Sequence, residues 1–180
     1  MAISSNCADN LVLIGFMGAG KSTVGRELAR RSGRYFLDAD TLIEASEGRS
    51  VAEIFEKRGE AYFRELERET ARWLAACVRG SVVSTGGGMP VAVEAPQRLG
   101  ILIYLKLPFE EAMRRLGPRE RAGRPLFHDP ERARALFSER EKRYEEVAAI
   151  TVRADREVDE VVGEILTSLQ APPVSSNPHG

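Results

Sequence analysis

The chain has 180 residues, enough for one domain with a substantial core and too few for two ordinary domains. Hydrophobic residues make up 43% of the chain and charged residues 29%, as in soluble globular proteins. The formal net charge of -1 argues against nucleic-acid or membrane partners, which usually leave a basic surface. Two cysteines exclude a disulfide framework, and no apolar run is long enough to span a membrane. We therefore expect a cytoplasmic protein, and we expect it to be a monomer.

Five short apolar runs predict the strands of one domain. Residues 1–9 are expected to form a loose N-terminus, 10–170 the domain, and 171–180, rich in Pro and Ser, a disordered tail. The apolar runs are continuous rather than alternating, as in a parallel sheet with helices on both faces. They are Leu11–Ile14, Tyr35–Leu37, Ser81–Ser84, Ile101–Leu105 and Ala149–Val152.

Helical patterns separate the predicted strands. They cover Lys21–Arg31, Thr41–Glu47, a segment that a capping box at Ser50 opens and Gly59 ends, Glu60–Val78, Pro130 to about Tyr144, and Val158–Leu169. In the fourth of these, a three-and-four spacing predicts a buried stripe of Phe63, Leu66, Thr70, Trp73 and Cys77. The alternation of strand and helix predicts an α/β fold with three layers and a five-stranded parallel sheet.

A glycine-rich segment connects the first predicted strand to the first helix. Residues Gly15–Ser22 match G-x-x-x-x-G-K-[ST], in which backbone N–H groups converge on phosphate oxygens at a helix N-terminus. In this pattern the lysine reaches the β- and γ-phosphates and the hydroxyl ligates Mg²⁺. A chance glycine-rich turn is the alternative, and the strand before it and the helix after it make that alternative weak. The residues predicted to bind ATP here are Gly18, Ala19, Gly20, Lys21, Ser22 and Thr23.

Two aspartates follow the second predicted strand. Asp40 is a candidate cap for the helix at Thr41–Glu47, but that interpretation leaves Asp38 without a role. In an open parallel sheet ligands bind beyond the carboxyl ends of the strands, where the glycine-rich segment also lies. One carboxylate there can hold a Mg²⁺ ion and the other can accept the proton of an attacking hydroxyl. The spacing alone leaves the structural and the functional interpretation equally open.

Three consecutive glycines, Gly86–Gly88, follow the third predicted strand, and Met89-Pro90 then opens a helix. Such a run indicates either a strained turn or a close approach of the backbone to a ligand. The glycine-rich segment, the aspartate pair and the triple glycine all follow strands of the same predicted sheet. We therefore expect them along one edge, where one cleft can hold them all.

Arginines suggest two further parts of a site. Arg64 lies on the long helix among glutamates, where an exposed ion-pair face is the alternative interpretation, as for Arg68 and Arg72. Residues 117–128 are rich in Arg, Gly and Pro, which is typical of a lid that brings a cation to the γ-phosphate. An idle surface loop is the alternative for that segment. Arg140, at helical spacing after Phe137, is expected beside a buried face.

Taken together, these residues resemble the shikimate kinase family from about Leu11 to Val152. The segments that carry the resemblance are Gly20–Gly25, Leu37–Asp40, Gly48–Phe55, Gly59-Glu60, Phe63–Glu67, Gly86–Gly88 and Arg124–Leu126. The glycine-rich segment alone indicates nucleotide binding, whereas the ordered combination is much more specific. The resemblance implies a P-loop kinase fold, with a helical acceptor-binding region at about 40–70 and a lid at about 117–128.

The resemblance also implies roles for individual residues. Asp38 matches a carboxylate that helps to hold Mg²⁺ together with Ser22, and Asp40 matches one that binds the acceptor hydroxyls and acts as a base. Lys21, Asp40 and Arg124 are thus the expected catalytic residues. Arg115 matches, with less certainty of alignment, an arginine near the adenine.

The remaining implied roles concern the acceptor. Arg64 and Arg140 match two arginines that bind the shikimate carboxylate, Glu67 is placed to orient Arg64, and Gly86, Gly87 and Gly88 match the loop that contacts the acceptor. Two arginines on one carboxylate make chemical sense, because the planar guanidinium binds a carboxylate through two hydrogen bonds. The family commonly has a proline and a leucine before the tyrosine that follows Arg140. Here those positions are Lys142 and Arg143, and Tyr144 follows.

The expected reaction is transfer of the γ-phosphate of ATP to the 3-hydroxyl of shikimate, with Mg²⁺ as cofactor and ADP as the other product. Another small P-loop kinase, acting on gluconate or a nucleoside monophosphate, is an alternative that Gly48–Phe55 and Phe63–Glu67 disfavour. A non-catalytic ATP-binding relative is a second alternative, disfavoured because the expected catalytic residues are all present.

Overall fold

Five parallel strands form one sheet at the centre of the molecule. A computed structural model describes residues 8–116 and 129–170 of the chain. The strands are β1 (Leu11–Ile14), β2 (Phe36–Asp38), β3 (Val82–Ser84), β4 (Ile101–Lys106) and β5 (Ile150–Arg153). They pair in the order β2-β3-β1-β4-β5, every pair is parallel, and each predicted strand is correct to within one residue at either end.

Helices connect the strands throughout the described residues. They are α1 (Lys21–Ser32), α2 (Ala39–Glu47), α3 (Val51–Cys77), α4 (Met89–Ala92), α5 (Phe109–Arg115), α6 (Pro130–Val147) and α7 (Val158–Gln170), with a 3₁₀ turn at Pro96–Leu99. The prediction contained no helix at α5, because seven residues are too few for a helical period to stand out. None of the helices in the described ranges is long and apolar enough to cross a membrane.

Local signals place the ends of these helices. Ser50 and Glu53 form the predicted capping box at the start of α3. Gly59, with φ 80° and ψ 174°, breaks the regular helix where the sequence predicts an end. Asp129 caps α6 through the backbone N–H groups of Glu131 and Arg132. The break at Gly59 separates a short first part of α3 from the long second part that carries Arg64.

The predicted stripe of α3 was wrong at Trp73 and Cys77. Phe63 is buried and Leu66 is partly buried among apolar residues, whereas Trp73 is 47% exposed and Cys77 is exposed. The fully buried positions of the second part of α3 are Phe63, Glu67, Ala71 and Leu74. An apolar count missed this face because its second member is a glutamate, and a charged side chain is seldom buried without a partner.

Two apolar clusters support the molecule. The main core packs both sides of the sheet and includes all four residues of β1, each at most 2% exposed. A small second cluster of Ile43, Ile54 and Phe63 joins α2 to α3. This cluster lies within residues 40–70, the predicted acceptor-binding region. A separate core gives that region a fixed shape above the edge of the sheet.

Candidate active site

The carboxyl ends of three neighbouring strands lie in one row. Leu13 of β1 is in register with Ser84 of β3, and Asp38 of β2 is in register with the same serine. The chain leaves this row through Gly15, through Asp40 and through the triple glycine. The expected single cleft is therefore present: three motifs that are distant in sequence start from one edge of the sheet.

The segment Gly15–Ser22 forms a phosphate-sized loop ahead of α1. Gly18 and Gly20 have φ near +80°, and a Cβ at Gly18 would lie 2.7 Å from the carbonyl oxygen of Ala112. The Lys21 ammonium donates to the carbonyl oxygens of Gly15 (2.8 Å) and Phe16 (3.0 Å), which holds it across the loop. No side chain caps α1, and its first turn has no acidic residue. The N-terminus of α1 thus suits an anion.

Asp38, rather than Asp40, caps α2. One Asp38 oxygen, Oδ1, accepts from the N–H groups of Asp40 (3.1 Å) and Thr41 (3.3 Å). The helix begins at Ala39, so Asp40 already lies in its first turn, and the predicted cap role of Asp40 was wrong. The reason is the backbone: Asp38 is extended, with φ -114° and ψ 120°, as a cap residue must be.

The second oxygen of Asp38 reaches the glycine-rich loop. Asp38 Oδ2 accepts a hydrogen bond from the Ser22 hydroxyl at 2.8 Å. These two groups are hard oxygen donors, which Mg²⁺ prefers, and Mg²⁺ takes few protein ligands because it keeps water and phosphate oxygens. No group of three or more His, Cys, Asp or Glu suited to a metal occurs within 8–116 or 129–170. The residue types at this position fit a Mg²⁺–nucleotide and not a metal bound by the protein alone.

The triple glycine packs against five charged or polar side chains, which belong to Asp40, Arg64, Glu67, Arg140 and Tyr144. A Cβ at Gly86 would lie 2.6 Å from Asp40 Oδ1 and 3.0 Å from Glu67 Oε1. A Cβ at Gly88 would lie 1.9 Å from Arg64 Nη1. None of the three glycines has a positive φ, so close approach, and not a strained turn, explains them. Any larger residue would displace the groups that form the cleft.

Arg64 is held by two glutamates of its own helix. Its Nη1 lies 2.6 Å from Glu67 Oε2, and its Nη2 lies 2.7 Å from Glu60 Oε1. Glu67 is fully buried, whereas Glu60 is 66% exposed. The predicted contact between Arg64 and Glu67 is thus present, and it fixes the guanidinium beside Gly88. By contrast, Arg68 and Arg72 pair with Glu65 in water, as predicted for an exposed face.

Opposing effects act on the pKa of Glu67. Burial raises the pKa of its carboxyl, the nearby Asp40 carboxylate raises it further, and Arg64 and Arg140 lower it; burial is the largest effect. Its Oε1 has no hydrogen-bond partner among the described residues. A polar atom that is buried in this way is costly unless something pairs with it. This end of the cleft is therefore suited to a ligand that carries hydroxyl groups.

Arg140 adds a second buried cation. It is only 7% exposed, and among the described residues no carboxylate lies within 4.0 Å of its guanidinium. Burial, followed by the nearby positive charge of Arg64, lowers its pKa. A Cβ at Gly87 would lie 3.4 Å from Arg140 Nη1, so both arginines border the same loop. Two neighbouring cations, one buried and one partly buried, favour an anion between them.

Comparisons with known proteins agree with this geometry. A family model described as Shikimate kinase matches residues 17–170. A shikimate kinase from Helicobacter hepaticus is 42% identical over 158 residues, which are 88% of this chain and 94% of that protein. The chain belongs to the shikimate kinase family. Shikimate kinases are also its structural neighbours: one from Acinetobacter baumannii, solved in complex with shikimate, has a TM-score of 0.81 at 35% identity and covers 89% of this chain and 92% of its own.

The alternative kinase classes resemble the chain less. A gluconokinase from Sinorhizobium meliloti has a TM-score of 0.53 and 20% identity, and it covers 92% of this chain and 93% of its own. At that identity the likeness shows the fold alone. Both likenesses support a P-loop kinase fold, and the shikimate kinases described above also match in sequence.

Lys142 and Arg143 depart from the shikimate kinase pattern, but Arg140 still lies at the site. Where the family commonly has a leucine, Arg143 directs its guanidinium to the carbonyl oxygens of Pro90 and Glu94, each at 3.4 Å. It also pairs with Glu146 at 3.5 Å. These contacts join α6 to the segment around α4.

The structure describes only some of the residues that were assigned to the adenine and to the lid. Arg115 donates to Glu111 at 2.8 Å and to the carbonyl oxygen of Ala154 at 2.9 Å, which places it at the end of β5. Arg124 and the whole predicted lid, 117–128, lie outside the described residues, as do residues 1–7 and the predicted tail. Thr23 is exposed on the first turn of α1. The roles of Arg115, Arg124 and Thr23 stay predictions.

One residue of the site was not predicted. Tyr144 is buried on α6, and its hydroxyl donates to the carbonyl oxygen of Gly87. A signal was available, because Tyr144 lies four residues after Arg140 and so on the same face of a helix. A tyrosine on an apolar face is usually core, and for that reason the spacing alone did not indicate a site.

Removing the Arg64 cation should raise the pKa of Glu67. Arg64 lowers that pKa through its charge and its hydrogen bond, so in Arg64→Ala we expect the pKa of Glu67 to rise. Carboxyl ¹³C NMR of Glu67 as a function of pH measures the change. Arg68→Ala is the matched control, since Arg68 pairs with the exposed Glu65 and should leave Glu67 unaffected. An unchanged Glu67 pKa in Arg64→Ala would show that the two groups are not coupled.

Proposed function

We propose that this chain phosphorylates the 3-hydroxyl of shikimate with ATP, yielding shikimate 3-phosphate and ADP. The observation that carries the proposal is a pair of arginines, the partly buried Arg64 and the buried Arg140, that border the glycine loop next to an ATP-type phosphate loop. Membership of the shikimate kinase family supports it. So does the likeness to an enzyme solved with shikimate bound.

The acceptor carboxylate is the group that the two arginines would bind. Arg64 is oriented by Glu67, and Arg140 has no carboxylate of the described residues within 4.0 Å. Each guanidinium offers parallel N–H groups that match a carboxylate. A bound carboxylate would offset the mutual repulsion of the two cations. We expect this interaction to fix one end of the acceptor.

The hydroxyl groups of the acceptor would face the carboxylates. Asp40 and Glu67 both approach Gly86, and hydroxyl groups donate readily to carboxylate oxygens. With the carboxylate held by the arginines, a hydroxyl at the opposite side of the ring lies toward Asp40 and the phosphate loop. Asp40 would orient that hydroxyl and accept its proton. Backbone groups of Gly86, Gly87 and Gly88 would line the remaining contact.

The nucleotide would occupy the loop Gly15–Ser22. Backbone N–H groups from Gly18 to Thr23 and the Lys21 ammonium would bind its phosphates, with Arg115 near the adenine and Arg124 at the γ-phosphate. Ser22 and Asp38, 2.8 Å apart, would hold a Mg²⁺ ion, which when bound neutralises phosphate charge. Lys21 would stabilise charge on the transferring phosphoryl group. Catalysis then consists of positioning and charge stabilisation, with no covalent intermediate on the protein.

The partners that we propose are therefore two small molecules. The net charge of -1 supports neither nucleic acid nor an anionic membrane as a partner. Monomeric state and cytoplasmic location stay predictions from the composition.

A substrate comparison tests the proposed function. The purified chain is supplied with ATP and Mg²⁺ and with shikimate, gluconate or a nucleoside monophosphate, and ADP formation is measured. We expect turnover with shikimate to exceed turnover with either of the others by at least about 10³-fold, because gluconate carries its carboxylate and hydroxyl groups on a flexible open chain and the nucleotide has no carboxylate for the arginines. Turnover of gluconate or of the nucleotide in preference to shikimate would contradict the proposal. ATP binding without any turnover would support a non-catalytic relative.

Asp40→Asn isolates the chemistry of Asp40. Because Asp38 and not Asp40 caps α2, the change should leave the helix and the folding stability nearly unaffected. The amide cannot accept a proton, so we expect kcat to fall by about 10²–10⁴-fold. Urea unfolding and steady-state kinetics together measure both effects. Unchanged kcat at unchanged stability would remove Asp40 from the mechanism.

A further inference from the structure

Tyr144 lies at the junction of the acceptor site and the core. It is 1% exposed on α6, and its ring packs against that of Tyr104 on β4, with centroids 5.3 Å apart. It follows Arg140 by four residues, so both side chains leave the same face of the helix. The ring of Tyr144 belongs to the core, while its hydroxyl reaches the glycine loop.

The hydroxyl contacts both sides of the site. It donates to the carbonyl oxygen of Gly87, and the nearby Arg140 guanidinium lowers its pKa against the larger, opposite effect of burial. A Cβ at Gly87 would lie 3.4 Å from Arg140 Nη1 and 3.6 Å from the Tyr144 oxygen, so the three groups meet at one point. The Tyr144 hydroxyl therefore lies between the Arg140 cation and the glycine loop.

The hydroxyl is well suited to this position. A tyrosine hydroxyl is protonated at neutral pH, and burial raises the pKa of Tyr144 further, so the hydroxyl can donate. Phenylalanine would fill the same space and pack on Tyr104 equally well. The oxygen is therefore not needed for packing, and what it adds is the hydrogen bond to Gly87.

We infer that Tyr144 is a positioning residue whose hydroxyl fixes Arg140 relative to the Gly86–Gly88 loop, so that the acceptor carboxylate and the loop bind in one geometry. The inference rests on the proposed function. Among the described residues, Tyr144 is the one whose side chain hydrogen-bonds to the backbone of the Gly86–Gly88 loop, and it does so beside Arg140. The loop carbonyl and the cation would otherwise move independently when the acceptor binds.

Tyr144→Phe tests the inference, with Tyr104→Phe as the matched control. Tyr104 is an equally buried ring in contact with Tyr144, and its hydroxyl faces Glu141 and Glu145 rather than the acceptor site. In Tyr144→Phe we expect the KM for shikimate to rise about tenfold, with kcat within about threefold of wild type and the KM for ATP unchanged. In Tyr104→Phe all three constants should remain within about twofold. Thermal unfolding of both variants reports on the fold.

A double-mutant cycle distinguishes positioning from a general structural effect. In an Arg140→Lys background, Tyr144→Phe should raise the KM for shikimate less than about threefold, because the geometry that the hydroxyl maintains is already lost. A full tenfold effect in that background would show that the hydroxyl does not act through Arg140. If Tyr144→Phe does not fold, Gly87→Ala tests the same junction, since its methyl group would press on Arg140 and the Tyr144 oxygen.

The outcomes separate this inference from the proposed function. If the wild-type chain phosphorylates shikimate and Tyr144→Phe matches Tyr104→Phe, the positioning role is wrong and the proposed function stands. If the wild-type chain does not phosphorylate shikimate, both are wrong. A selective increase in the KM for shikimate in Tyr144→Phe, lost in the Arg140→Lys background, supports both.

Discussion

The close approach of four ionisable side chains to one glycine loop is the constraint on which the site depends. Asp40, Glu67 and Arg64 each come within 3.0 Å of where a Cβ of Gly86 or Gly88 would lie, and Arg140 borders the glycine between them. Such proximity is possible only where the loop carries no side chains. The parallel sheet delivers the loop to this position, because β3 ends in the same row as β1 and β2.

The cleft brings like charges close together as well as opposite charges. Arg64 and Glu67 bind each other, while the Asp40 carboxylate raises the Glu67 pKa and the Arg64 charge lowers the Arg140 pKa. Buried like charges of this kind lower the stability of a protein, and functional sites are where that cost is usually found. A ligand with a carboxylate at one end and hydroxyl groups at the other would relieve both conflicts. The same like-charge contacts would thus favour an acceptor of that kind.

The sequence predicted the parts of the fold that local patterns determine. All five strands and the phosphate loop followed from apolar runs and from glycine spacing. It could not decide which aspartate caps α2, since either side chain suits a cap and only the extended backbone at Asp38 settles the matter. Nor could it distinguish a strained turn from close approach at Gly86–Gly88, which depends on side chains from α2, α3 and α6. Trp73 and Tyr144 show the same limit: an apolar face is visible in a sequence, but the partners of that face are not.

The most direct test of the central claim compares shikimate with its methyl ester, which keeps the ring and hydroxyl groups and removes the negative charge. If Arg64 and Arg140 bind the carboxylate, kcat/KM for the wild-type protein should be about 10²–10³-fold higher with shikimate, as for a buried charge pair that loses one partner. In Arg64→Ala that preference should fall at least about tenfold, whereas Arg72→Ala, an exposed arginine of the same helix, should retain it. Equal use of acid and ester by the wild-type protein, or an undiminished preference in Arg64→Ala, would contradict the account.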